Sequence, residues 1–140
     1  MVVPPSEQDA YDELSAYTLA HDDPAFIHQY VVDAFAAQYA TPDDPPIRLA
    51  FALMGLCLHL ERGYPGRQVQ LFHMRIARKR RQWPVFEAPA VRGTLTPTDV
   101  VEKASGPERD GMIDAWCTSV WAAWEDSHES ITAMIRDLGE

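Results

Sequence analysis

No Cys-x-x-Cys pair, Gly-rich phosphate loop, nucleophile-elbow serine or His-Glu-x-x-His helix occurs in this chain, so the metal, nucleotide and nucleophile signatures with strong spacing are missing. The only two cysteines, Cys57 and Cys117, fall in separate apolar stretches and read as buried free thiols rather than a disulfide frame or zinc knuckle. No apolar run approaches the roughly 20 residues that cross a bilayer, the longest being Leu49 to Leu58. The N-terminal stretch lacks the basic-then-apolar pattern of a secretory signal. A cytoplasmic protein with no membrane partner is the expectation. Lys and Arg are absent from residues 1–47, which hold nine carboxylates. With 12 cations against 21 anions, a net charge of −9, nucleic acid is not an expected partner.

What is present is globular composition, 46% hydrophobic and 24% charged over 140 residues. That length suits one domain, residues 1–140, with a core of its own. Residues 67–81 hold six cations and no carboxylate, so the basic segment is expected to meet the acidic N-terminal part, within one chain or between subunits.

Hydrophobic spacing predicts an all-α fold, a helical bundle of five to six helices with a long C-terminal helix. Residues 1–6 form a flexible leader and a first helix runs over 7–20. Asp23-Pro24 starts a second over 24–40, because proline costs nothing at the first helical position. Asp43 to Pro46 breaks the chain again. The third helix, 47–62, is apolar almost all round and belongs at the centre, with Gly63 as its left-handed stop. A fourth spans 66–82. Pro84, Pro89, Pro97 and Gly93 make 83–97 a Pro-rich connecting loop, from which Trp83, Val85 and Phe86 plug the core edge. A short helix follows to about 104. Ser105 and Glu108 then suit a capping box, from which one helix reaches 137 on a stripe that includes Ile113, Trp116, Val120, Trp124, His128 and Ile135.

Polar groups on core-like helices are the candidate site. Each helical residue advances roughly 100°, so His28 and Gln38 fall on one side of the second helix, and Gln29 and Asp33 on the other. Every such group needs a partner if both sides are buried. His59 shares a stripe with Arg48, Ala52 and Gly55, whose small residues admit a neighbouring helix or leave room for a ligand. His73 lies at the core boundary of the fourth helix. The catalytic candidates are His28, Asp33 and His59. Ligand-binding candidates are Gln29, Gln38, Glu61, His73 and Trp124. Imidazoles from three helices, His28, His59 and His73, would make an open site for a divalent transition metal if they converge. The competing reading is a set of buried hydrogen bonds that tie helix ends and loops together.

Tyr17-Thr18-Leu19, His28-Gln29, Asp33-Ala34 through Ala37-Gln38, Leu56 through Leu58 with Leu60-Glu61-Arg62-Gly63, and Trp116 with Ser119-Val120-Trp121 and Trp124 carry a likeness. Over most of residues 11–130 the chain resembles a family of small bacterial proteins of unknown function. The resemblance implies an all-helical single domain and brings no activity with it. The leading expectation is a helical protein whose polar internal pocket binds a small molecule or a metal and catalyses its conversion. The alternative is a non-enzymatic homodimer that uses the Trp-bearing C-terminal helix as its interface.

Overall fold

The computed structural model describes residues 3–20, 25–79 and 82–139. Seven α-helices form among them: α1 (Pro5–Leu19), α2 (His28–Gln38), α3 (Pro46–Arg62), α4 (Gly66–Ile76), α5 (Pro97–Val101), α6 (Pro107–Ala123) and α7 (His128–Asp137). No strand occurs among the described residues. Prolines sit in the first turn of α1, α3, α5 and α6, where a missing N–H costs nothing. α1 opens at Pro5, within the segment 1–6 expected as a leader.

α2 and α3 form the centre. α2 packs on α1, α3, α4 and α6, and α3 packs on α2, α4, α6 and α7. Leu53, Met54, Leu56 and Leu58 on α3 are fully buried, so the all-round apolar pattern does mark the central helix. Gly63 ends it at φ 69°, as a left-handed C-terminal residue. α2 starts at His28 rather than 24, since Phe26 holds φ 54° and breaks the helical path. α4 fixes that turn: the Arg67 N–H donates to the Ala25 carbonyl at 2.9 Å, and the Arg67 guanidinium lies over the Phe26 ring at 4.4 Å. A Cβ on Gly66 would overlap the Phe26 carbonyl oxygen, so the approach needs glycine there. The expected Asp23-Pro24 start lies outside the described residues.

The expected long C-terminal helix is two helices. At Trp124 the backbone turns to φ −94°, ψ 20°, and Glu125–Ser127 forms a 3-10 turn. His128 accounts for the break. Its Nε2–H donates to the Trp121 carbonyl at 2.8 Å, taking an acceptor that a continuous helix would use, and its ring stacks on Trp121 at 3.7 Å. The kink lets both Trp121 and Trp124 turn inward. Nor does Ser105 cap α6: Gly106 does, at φ 104°, with its N–H donating to the Tyr17 hydroxyl at 3.0 Å. The capping box belongs to α5, where the Asp99 carboxylate accepts the Thr96 N–H at 2.8 Å.

α4 ends at Ile76 rather than 82, and its described cations do not meet N-terminal carboxylates. Arg67 covers Phe26, Arg75 covers Phe72, and Lys79 donates to the Leu138 carbonyl. In the connecting loop, Trp83 and Phe86 pack on the core while Val85 is 84% exposed. Gln38 anchors that loop. Its Nε2 donates to the carbonyls of Arg92 and Leu95 at 3.2 and 2.8 Å, and its Oε1 accepts the Trp116 indole N–H at 2.8 Å. Arg92 returns the contact by donating to the carbonyls of Gln38 and Ala40 at 3.1 and 2.9 Å. Gln38→Leu therefore strands a buried indole N–H and two carbonyls. Urea unfolding is expected to register a loss of about 2–3 kcal/mol, and an unchanged midpoint would contradict this anchoring role.

Candidate functional site

The site begins with a missing side chain. Gly55 stands on the face of α3 turned to α2 and α4, and a Cβ there would overlap Asp33 Oδ2, lie 2.6 Å from Asp33 Cγ and 3.1 Å from His73 Nε2. Because Gly55 yields that space, Asp33 from α2 and His73 from α4 meet against α3. Asp33 is 4% exposed and His73 9%. Gln29, one turn before Asp33, donates from Nε2 to Asp33 Oδ1 at 3.1 Å. The other carboxylate oxygen approaches His73 Nε2 no closer than 3.6 Å, beyond an ordinary hydrogen bond. Asp33 Oδ2 and both ring nitrogens of His73 are buried without a hydrogen-bond partner. Phe51 holds the imidazole flat by stacking at 4.9 Å and 15°, and Trp83 meets Phe51 edge-on at 5.1 Å.

Above this pair opens a cleft of about 340 Å³, lined by Tyr11, Gln29, Val32, Asp33, Ala36, Ile47, Arg48, Phe51, Ala52 and His73. Tyr11 stands on α1 and stacks on Phe35 at 3.8 Å. Arg48 stands at the rim with its side chain 54% exposed, and among the described residues its ion pair is a 3.8 Å approach to Asp44. Such an exposed pair is weak and leaves the guanidinium able to turn. Burial is the largest influence on Asp33 and raises its carboxyl above the usual range, against the lowering effects of His73, the Gln29 amide and the charge of His59. A carboxyl pushed towards its protonated form by burial and an imidazole beside it are a pair suited to proton exchange.

Of the residues expected from sequence, the structure brings Gln29, Asp33 and His73 together and places the others elsewhere. His28 Nδ1 pairs with Thr18 Oγ1 at 2.9 Å, and burial lowers the His28 pKa. His59 Nε2 meets Asp114 Oδ1 at 3.0 Å, and its ring stacks on Tyr30 at 3.5 Å. Gln38 spends its amide on the loop and Trp116, as described above. Glu61 accepts the Trp121 indole N–H at 2.9 Å on a separate cavity of about 540 Å³ that also has Arg62, His128 and Arg136 in its wall. Trp124 is 1% exposed, with the Arg92 guanidinium 5.6 Å from its ring. The expected three-imidazole metal site is not assembled: among the described residues no three His, Cys, Asp or Glu side chains form a group able to hold a metal ion. His28 and His59 are turned to partners of their own, and His73 alone borders the cleft.

Arg48 and Gly55 carried a sequence signal, the stripe Arg48-Ala52-Gly55, although it pointed to His59 rather than to Asp33. Tyr11 and Phe51 carried none. The dependence on Gly55 is testable by a double-mutant cycle. Gly55→Ala is expected to cost about 1–3 kcal/mol by overpacking, and most of that cost to vanish in an Asp33→Ala background. Equal costs in both backgrounds would mean that the methyl clashes with something other than Asp33.

The raised Asp33 carboxyl sets a sign for pH dependence. In the unfolded chain the group ionises near 3.8, while in the folded chain it keeps its proton to higher pH. Folding stability is therefore free of this penalty below the unfolded value and falls as pH rises from there through the folded value. Asp33→Asn removes that fall. Thermal melts from about pH 3 to about pH 8, a range that starts below the unfolded carboxyl value, are expected to show the variant at least as stable as the parent at neutral pH, its advantage shrinking towards acid. A variant uniformly less stable would reverse the reading.

A model for the Family of unknown function (DUF5946) matches residues 4–125. No curated protein and no solved structure matches the chain.

Proposed function

We propose that this chain, which belongs to that family of unknown function, binds a small molecule in the cleft between α1, α2, α3 and α4, where Asp33 and His73 exchange a proton with it. One observation carries the reading: Asp33 Oδ2 and both His73 nitrogens are buried without partners on the floor of an open cleft. Buried polar groups are ordinarily bonded, so a cluster of unbonded ones beside an accessible space is a place for a ligand's polar atoms. A gain of two or three hydrogen bonds in a low-dielectric setting favours binding there. The imidazole can accept a proton and the high-pKa carboxyl can donate one, so the same contacts that hold a hydroxyl or carbonyl also polarise it. The part given to His28, His59 and Gln38 in the sequence reading passes to His73, Gln29, Tyr11 and Arg48.

A fragment library screened by protein-observed NMR tests this. Binders are expected to shift the His73 ring and Gln29 side-chain signals, and Val32→Trp, which fills the cleft from its wall, to abolish the response. Hits that ignore Val32→Trp, or a library with no cleft hit, would overturn the proposal.

A homodimeric interaction protein is the second reading, on a different surface from the one expected. Trp116, Trp121 and Trp124 are inside the core and offer no face. Leu71 and Met74, one turn apart on α4, are 54% and 61% exposed and favour a contact there. A strict monomer by light scattering across a wide concentration range would remove it.

A further inference from the structure

Resting on the cleft reading above, we infer the class of molecule it takes: a small carboxylate with an apolar body and a hydroxyl or carbonyl at its far end. The cleft is polar at its two ends and apolar between them. Arg48 stands at the outer end, and the Asp33–His73 pair with Gln29 at the inner end. The rest of the wall is Val32, Ala36, Ile47, Phe51 and Ala52, with Tyr11 the one further residue of the lining. Arg48 and Gly55 are seven residues apart on α3, which at 1.5 Å per residue is about 10 Å along the helix. An arginine side chain bending inward shortens this to about the length of one substituted ring or a short carbon chain. The volume of about 340 Å³ agrees with an occupant of that size.

Each end selects its partner chemically. A guanidinium presents a planar fork of N–H donors that matches a carboxylate with two parallel hydrogen bonds. A phosphate dianion asks for more positive charge than one exposed arginine supplies, and an ammonium would be repelled by Arg48 at the entrance. The inner end offers an unpartnered carboxylate oxygen next to two unpartnered imidazole nitrogens. A hydroxyl both donates and accepts, so it satisfies that mixed pair where an ammonium or a methyl would not. A carbonyl serves if Asp33 or His73 donates, which the raised carboxyl allows.

Isothermal titration of the full chain with three probes separates the ends. The probes are 4-hydroxybenzoate, its neutral amide 4-hydroxybenzamide, and benzoate, which keeps the carboxylate and lacks the far hydroxyl. At millimolar concentration the hydroxy acid is expected to bind about tenfold or more tightly than either other probe. Arg48→Met is expected to erase the advantage of the acid over the amide and Arg48→Lys to restore part of it, with the advantage over benzoate unchanged. Equal affinity for acid and amide overturns the carboxylate class but leaves the cleft reading standing. Equal affinity for hydroxybenzoate and benzoate overturns the assignment of the inner end. If none of the three binds while library fragments still fill the cleft, the class is wrong and the site is right; if no fragment fills it either, both fail.

Discussion

The close approach of α2 to α3 at Gly55 is the constraint from which the rest of this structure follows. Any side chain at that position would push against Asp33 and His73, and three helices would lose the point where they converge. With glycine there, α2 sinks between α1, α3, α4 and α6 until Asp33 and everything from Ala34 to Gln38 is buried. A helix buried on more than one side cannot leave its polar side chains to water. Each must find a partner in the protein or remain unpaired at a cost. The fate of each polar residue on α2 therefore separates the scaffold from the site.

Gln38 and Asp33 make the contrast, since both are 4% exposed. Gln38 uses its oxygen on the Trp116 indole and its amide on two carbonyls of the 83–97 loop. It has nothing left to offer a ligand. Asp33 has one oxygen held by Gln29 and the other facing His73 at 3.6 Å. The histidines divide in the same way. His28, His59 and His128 are bonded to Thr18, Asp114 and the Trp121 carbonyl, respectively, and His73 is left with two unbonded nitrogens. A residue type that suits catalysis is thus used mostly as a structural clamp here. Among the described histidines, the one without a clamp is also the one that lines the Asp33 cleft.

Much of the helical order was legible because its signals are local. Proline at a helix start, glycine at a left-handed stop and the all-apolar face of α3 act within a turn or two of where they stand. The two-faced character of α2 was legible as well, since Gln29 and Asp33 do share one side and Gln38 turns to the other. The break at Trp124 was not, because the stripe from Trp116 to Ile135 keeps its spacing of three and four through the 3-10 turn. What breaks the helix is a side chain from the next turn capturing a carbonyl, and spacing holds no trace of it. The convergence of three histidines failed for a related reason. Periodicity places a residue on a face of its own helix, but the rotation of that helix against its neighbours decides whether two faces meet. His59 and His73 both lie towards the centre, yet Tyr30 and Asp114 take the first and Phe51 the second. Tyr11 went unread because nothing in the sequence of α1 marked one of its tyrosines as facing a cleft.

An unpaired buried carboxyl lowers stability, and a fold that needed only packing would be served as well by an apolar residue in its place. Here the surroundings do not relieve the cost, although they are equipped to. Gln29 binds one oxygen and stops there. His73 stands 3.6 Å from the other and is held by Phe51 rather than drawn into a bond. Gly55 gives the room in which the two groups face each other, and the cleft leads to them from outside. A simple closing movement of the pair would bond Asp33 Oδ2 to His73 Nε2, yet it would also use up the donor and acceptor that a bound molecule needs. Holding the pair apart trades stability for readiness, and that trade is the physical ground for reading this part of the fold as a site and the clamps around it as scaffold.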